Sequence, residues 1–198
     1  MSVLVVAADH SEDIELISMI DVLSRGAMKV TLASVMESKC ITLAHGTNVK
    51  CDVLVGEVSA SDYDAVLLPG GMPGAVHLSN SVALKKILQE TRMGKKLYGA
   101  ICASPAVVLA PMGLLEGVES VTCYPGFEER LPSSVSYSTS AVVKSGNCLT
   151  SRGPGTAIYF GLAAVSVLKS PDLAEQLAKA MLVDQTKEMG DVRAIERT

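Results

Sequence analysis

The chain of 198 residues has no low-complexity tract, no internal repeat and no Pro/Gly/Ser-rich linker. Such a sequence is expected to fold as one domain, placed at residues 1–184, with the charged stretch 185–198 as a loosely attached tail. It also has no excess of basic residues: Lys and Arg total 17 against 21 Asp and Glu, a formal net charge of −4. Without a positive field, nucleic acid and acidic membrane surfaces are poor partners, and Lys95-Lys96 is too short a run to change that. No apolar run is long enough to span a membrane, because Pro105, Pro111 and Gly113 interrupt the most apolar region. The apolar N-terminal run Val3–Ala8 lacks a preceding basic residue and a following cleavage site, so it reads as a first strand rather than a signal sequence. The five cysteines, Cys40, Cys51, Cys102, Cys123 and Cys148, include no C-x-x-C and are odd in number. Neither a disulfide framework nor a metal site is indicated, and the reducing cytoplasm is the expected location.

What is present is a hydrophobic content of 48%, in apolar runs that alternate with helix-period segments. Val3–Ala8, Lys29–Ser34, Ala65–Leu68 and Leu97–Ile101 read as strands, Glu12–Arg25 and Ser81–Thr91 as helices. A further helix is expected directly after Cys102. Val53–Val58 reads as another strand, and Ala141–Leu149 as two short strands joined at Ser145-Gly146-Asn147. Ala157–Leu168 and Leu173–Leu182 complete the chain as helices. The alternation predicts an α/β fold, a mostly parallel sheet with helices on both faces.

In such a sheet, function gathers at the carboxyl ends of the strands. Cys102 stands there, between the apolar run Leu97–Ile101 and the helical pattern opened by Pro105. A thiol at a helix N-terminus meets unpaired backbone N–H groups, so the position predicts a reactive cysteine titrating below the ~8.5 of a free thiol. Glu15 lies one turn into an apolar helix with no local cation; burial there would keep its carboxyl protonated near neutrality. Pro69-Gly70-Gly71 has the composition of an anion nest, and it is neither G-x-G-x-x-G nor G-x-x-x-x-G-K-[ST], so no dinucleotide or P-loop cofactor is implied. Arg152, ahead of Gly153-Pro154-Gly155, suits either an anion at a helix start or a surface anchor for its loop. His10, His45 and His77 all fall in segments read as loops, and none follows Cys102.

These segments together resemble the ThiJ/PfpI superfamily, and within it the DJ-one branch of Parkinsonism-associated deglycases. The resemblance rests on Glu12-Asp13-Ile14-Glu15, Leu68-Pro69-Gly70-Gly71, Ala100-Ile101-Cys102-Ala103-Ser104-Pro105 and Thr150-Ser151-Arg152-Gly153-Pro154-Gly155-Thr156, and runs from Val3 to about Asp184. It implies a flavodoxin-like three-layer sandwich, a homodimer, Cys102 as nucleophile, Glu15 as its protonated partner, and the N–H groups of Gly71 and Ala103 as oxyanion donors. The implied activity is cofactor-independent conversion of methylglyoxal and similar α-oxoaldehydes to hydroxyacids, or repair of early glycation adducts on proteins. A redox-sensing or chaperone role read out by oxidation of Cys102 is the alternative. Members similar to the animal proteins carry a histidine in the segment where this chain has Tyr124. Phenol is a poor base at neutral pH, which leaves Tyr124, like Gly70 and Arg152, a supporting role.

Overall fold

The structure, a computed structural model, describes residues 1–183. In chain order it contains strand β1 (Ser2–Ala7), helix α1 (Asp13–Arg25), β2 (Lys29–Ser34), β3 (Cys40–Thr42), β4 (Asn48–Lys50), β5 (Val53–Leu54), β6 (Ala65–Leu68), α2 (Gly74–Asn80), α3 (Val82–Met93) and β7 (Leu97–Ile101). A π-helix (Pro105–Leu109), β8 (Ser120–Val121), β9 (Ser136–Tyr137), β10 (Val142–Ser145), β11 (Cys148–Ser151), α4 (Ala157–Leu168) and α5 (Pro171–Ala180) follow.

The central sheet has seven strands in the order β10-β11-β7-β6-β1-β2-β5. All neighbours pair in parallel except β10 with β11, which form an antiparallel hairpin at one edge. The inner strands β1, β6 and β7 are buried along almost their whole length. Continuous apolar runs, rather than alternating ones, are what a sheet covered on both faces requires. Helix α1 packs against α4 and α4 against α5, while α2, α3 and the π-helix cover the opposite face. The result is the expected three-layer α/β sandwich. On α1 the buried residues Glu15, Leu16, Met19, Val22 and Leu23 form one stripe with helical spacing. A carboxyl is thus carried into the interior on an otherwise apolar face.

Several elements differ from their sequence-based expectation. Of Val53–Val58 only Val53–Leu54 is strand, because the Glu57 carboxylate accepts from the Leu54 N–H at 2.9 Å and curls the chain into a 3-10 turn. The segment after Cys102 is not an α-helix but a five-residue π-helix followed by turns, with the Ala110 N–H bonded to the Pro105 carbonyl. His77 lies on α2, not in a loop. The closing helix ends at Ala180, ahead of the expected Leu182, and the tail expected at 185–198 lies outside the described residues. The β3–β4 hairpin has no counterpart in the sequence reading. It is tied to the loop after β1 by the Thr42 N–H on Asp9 Oδ1, the His10 N–H on the Thr42 carbonyl and the His45 N–H on Asp13 Oδ2, each at 2.8 Å.

Candidate active site

Cys102 is the residue at which β7 stops. Its φ of +66° lies in the left-handed region, uncommon for a residue with a side chain. Two backbone bonds fix this elbow: the Cys102 N–H donates to the Ser151 carbonyl at 2.9 Å, and its own carbonyl accepts from the Tyr124 N–H at 2.8 Å. In this strained turn the residue as a whole is buried, at 8% exposure.

Glu15 meets it from across β6, on the helix that follows β1. Its N–H is capped by Glu12 Oε2 at 2.7 Å, which starts α1, and its own carboxyl is fully buried. Oε2 accepts from the Gly70 N–H at 2.7 Å, the carboxyl interacts with the Cys102 thiol, and Oε1 has no N–H or O–H partner among the described residues. The strap Pro69-Gly70-Gly71, leaving the end of β6, lies between the two. A Cβ on Gly70 would fall 2.6 Å from Cys102 Cβ and 3.0 Å from Glu15 Oε2, so only glycine admits this approach. Gly71, with φ of +89°, and Ala103 direct their N–H groups at the Cys102 sulfur. Three separate segments of chain thereby meet at one point.

The electrostatics follow from burial. Loss of water raises the Glu15 carboxyl from 4.5 to about 7, against the pull of the Gly70 N–H. At neutral pH it is both an available acid and an available base. The thiol is pushed up to about 12 by burial and by the neighbouring Glu15 charge, against the pull of the Gly71 and Ala103 N–H groups. The expectation of a thiol titrating below the free value is therefore not met. A dipole argument from sequence assumed a regular helix behind the cysteine, and took no account of a carboxylate beside a desolvated sulfur. Both anions together are disfavoured, so above about 7 the pair keeps one proton, on the sulfur, with Glu15 ionised beside it.

The remaining candidate residues sit around this pair. Tyr124 is 45% exposed, its ring edge-on to Phe127 at 6.4 Å and close over Gly153. Arg152 donates from Nη1 to the Thr139 carbonyl at 3.3 Å, and its buried Nε has no partner among the described residues. The structure thus gives Arg152 a loop contact and shows no bond from it to Cys102. His45 lies 3.8 Å by Nε2 from Glu12 Oε1. Sequence reasoning missed Glu12 as the cap of Glu15, although an acid three residues before another at a helix start signals it. It also missed Ser104, whose buried hydroxyl donates to the Pro69 carbonyl at 2.6 Å. A surface cavity of about 490 Å³ at the same sheet edge is lined by Asp9, Ser38, His77 and Asn80 among others, and includes neither Cys102 nor Glu15. Among the described residues, no group of three or more His, Cys, Asp or Glu is placed to hold a metal, and no helix is long and apolar enough to cross a membrane.

Fold and site together define a flavodoxin-like α/β protein with a thiol and a carboxyl paired at the carboxyl ends of its strands. The chain belongs to the DJ-1/PfpI family, whose profile matches residues 1–167. It is 39% identical over 181 residues to protein DJ-1 homolog B of Arabidopsis thaliana, which is 91% of this chain and 41% of that protein. The chain therefore spans less than half the length of that relative. The glutathione-independent glyoxalase DJR-1.2 of Caenorhabditis elegans is 33% identical over 174 residues, 87% of this chain and 91% of that protein. The structure of oxidized DJ-1 from Toxoplasma gondii superposes with a TM-score of 0.88 at 40% identity, covering 91% of this chain and 97% of that one.

Proposed function

We propose that this protein is a cofactor-independent glyoxalase or deglycase, turning methylglyoxal-type α-oxoaldehydes into hydroxyacids or removing early glycation adducts from proteins. The observation that carries this reading is the contact of the Cys102 thiol with a buried carboxyl that titrates near neutrality. The similar C. elegans protein, named a glutathione-independent glyoxalase, supports the substrate class.

The chemistry balances without a redox partner. Ionised Glu15 takes the thiol proton as sulfur attacks the aldehyde carbon, and the resulting oxyanion is received by the Gly71 and Ala103 N–H groups and protonated to a hemithioacetal. Glu15 then carries the proton of that carbon to the neighbouring carbonyl carbon through an enediol, leaving a thioester. Water attacks the thioester, the C–S bond breaks, and thiolate and hydroxyacid part. Tyr124, at the rim, offers a phenolic donor to this last step. In steady-state assays with methylglyoxal, the wild type is expected to release lactate and Cys102→Ala to release none; equal release by both would overturn the reading.

A homodimer is part of the same proposal. Ile14 and Ile17 on α1 stand 55% and 45% exposed, an apolar pair that a second copy would cover. Light scattering at micromolar concentration should give twice the monomer mass. The cytoplasm is the proposed location, where free thiols persist.

A second reading, a sensor whose output is oxidation of Cys102, is favoured by the unpartnered Glu15 Oε1. Protonated, that atom would donate to an oxygen added to the sulfur. Turnover without accumulation of sulfinate under mild peroxide separates the first reading from the second.

A further inference from the structure

Ser104 lies two residues beyond the cysteine and is fully buried. Its hydroxyl donates to the Pro69 carbonyl at 2.6 Å, across a sequence separation of 35 residues. That carbonyl and the Gly70 N–H are the two ends of a single peptide unit, which is planar. The other end donates to Glu15 Oε2 at 2.7 Å. One rigid plane is therefore pinned between a serine hydroxyl and the buried carboxyl, and the next amide along the strap, that of Gly71, is directed at the sulfur. Glycine at 70 and 71 leaves the strap little torsional stiffness of its own.

We infer that Ser104 is a positioning residue, holding the Pro69-Gly70 peptide plane in the orientation from which one amide meets Glu15 and the next meets Cys102. A donor on the carbonyl also polarises the same peptide and strengthens its N–H as a donor. The Gly70 and Gly71 carbonyls stay tied to the Glu12 N–H at 3.1 Å and the Ala75 N–H at 2.8 Å, so losing the hydroxyl frees only the Pro69 end of the strap; the plane tilts, the Gly70 and Gly71 amides lengthen to their acceptors, and both anionic forms of the pair lose stabilisation. The inference rests on Cys102 and Glu15 being the reacting pair, but not on which carbonyl compound they act on.

The test is the pH dependence of Cys102 alkylation by iodoacetamide, followed by mass spectrometry on the full chain. The titratable groups that bear on Glu15 are Cys102 and Glu12, and the one that bears on Cys102 is Glu15, all unchanged in the variants. Ser104→Ala is expected to move the profile to higher pH by ~0.5–1 unit, a ~3–10-fold loss of reactivity at a fixed pH. Ser104→Thr, which keeps the hydroxyl, should restore the wild-type profile. A folded Ser104→Ala with an unmoved profile overturns the inference. Should Ser104→Ala fail to fold, Ser104→Thr decides: a wild-type profile supports the positioning role, and a displaced one overturns it. Because the readout is alkylation, failure of the glyoxalase reading would show separately, as absent lactate release from a protein whose Ser104 variants still shift.

Discussion

At the level of single residues, Glu15 carries two functions that one substitution separates. Its charge opposes ionisation of the neighbouring thiol, and in the proposed mechanism it transfers a proton between carbons. Glu15→Gln keeps the size, removes the charge and cannot exchange a proton. Lactate formation should fall to background, while the alkylation profile of Cys102 should move to lower pH by about a unit or more, since the repelling carboxylate is gone. Retained lactate release would take the proton-transfer role away from Glu15. Cys102 and Glu15 were legible from their positions alone: a cysteine where a strand gives way to a helix, and an acid on an apolar helical face. Ser104 was not, because its partner Pro69 is brought to it only by the pairing of β6 with β7. The direction of the thiol shift was equally out of reach, since desolvation is a property of the packed site.

Among the elements, α1, which carries the acid, packs against α4. Gly161 lies at a close approach of the two helices: a Cβ there would fall 2.8 Å from Val22 Cβ. Gly161→Ala should push α1 outward and lower stability by about 1–3 kcal/mol, read by urea unfolding, even though alanine is the better helix former. Stability equal to the wild type would mean that the helices separate without strain. The strands and long helices were readable because apolar runs and helical spacing persist over whole elements. The short pieces were not. The 3-10 turn at Val55–Glu57 depends on one carboxylate reaching back to Leu54, and the β3–β4 hairpin on tertiary bonds to Asp9, His10 and Asp13. The π-helix after Cys102 reads as an ordinary helix by composition, for its residues Pro105–Leu109 are simply apolar and all buried.

For the molecule as a whole, the buried carboxyl makes stability depend on pH. Glu15 titrates at about 7 in the fold against an ordinary 4.5, raised by burial. Between those values the folded chain holds a proton that the unfolded chain has lost, so stability declines as pH rises through this window and levels off above it. The full difference is roughly 3 kcal/mol. Urea unfolding at pH 5 and pH 8 should show the wild type losing ground relative to Glu15→Gln at the higher pH by an amount of this order. A constant gap between the two proteins would place the Glu15 proton elsewhere.

The meeting of α1, the strap after β6 and the elbow after β7 also bears on the order of events during folding. The Gly70 to Glu15 bond closes a sequence separation of 55 residues, and it forms between elements whose strands, β1 and β6, pair in parallel. Contacts of such long range form late, after the entropy of the intervening loops has been surrendered. A chain with its helices formed but its sheet incomplete holds a cysteine with no acid beside it and no amides above it. The pairing of sulfur with acid and amides is thereby completed only when the central strands are in register, while the cysteine of a half-folded copy is an ordinary solvated thiol, not yet pushed up by burial and by Glu15.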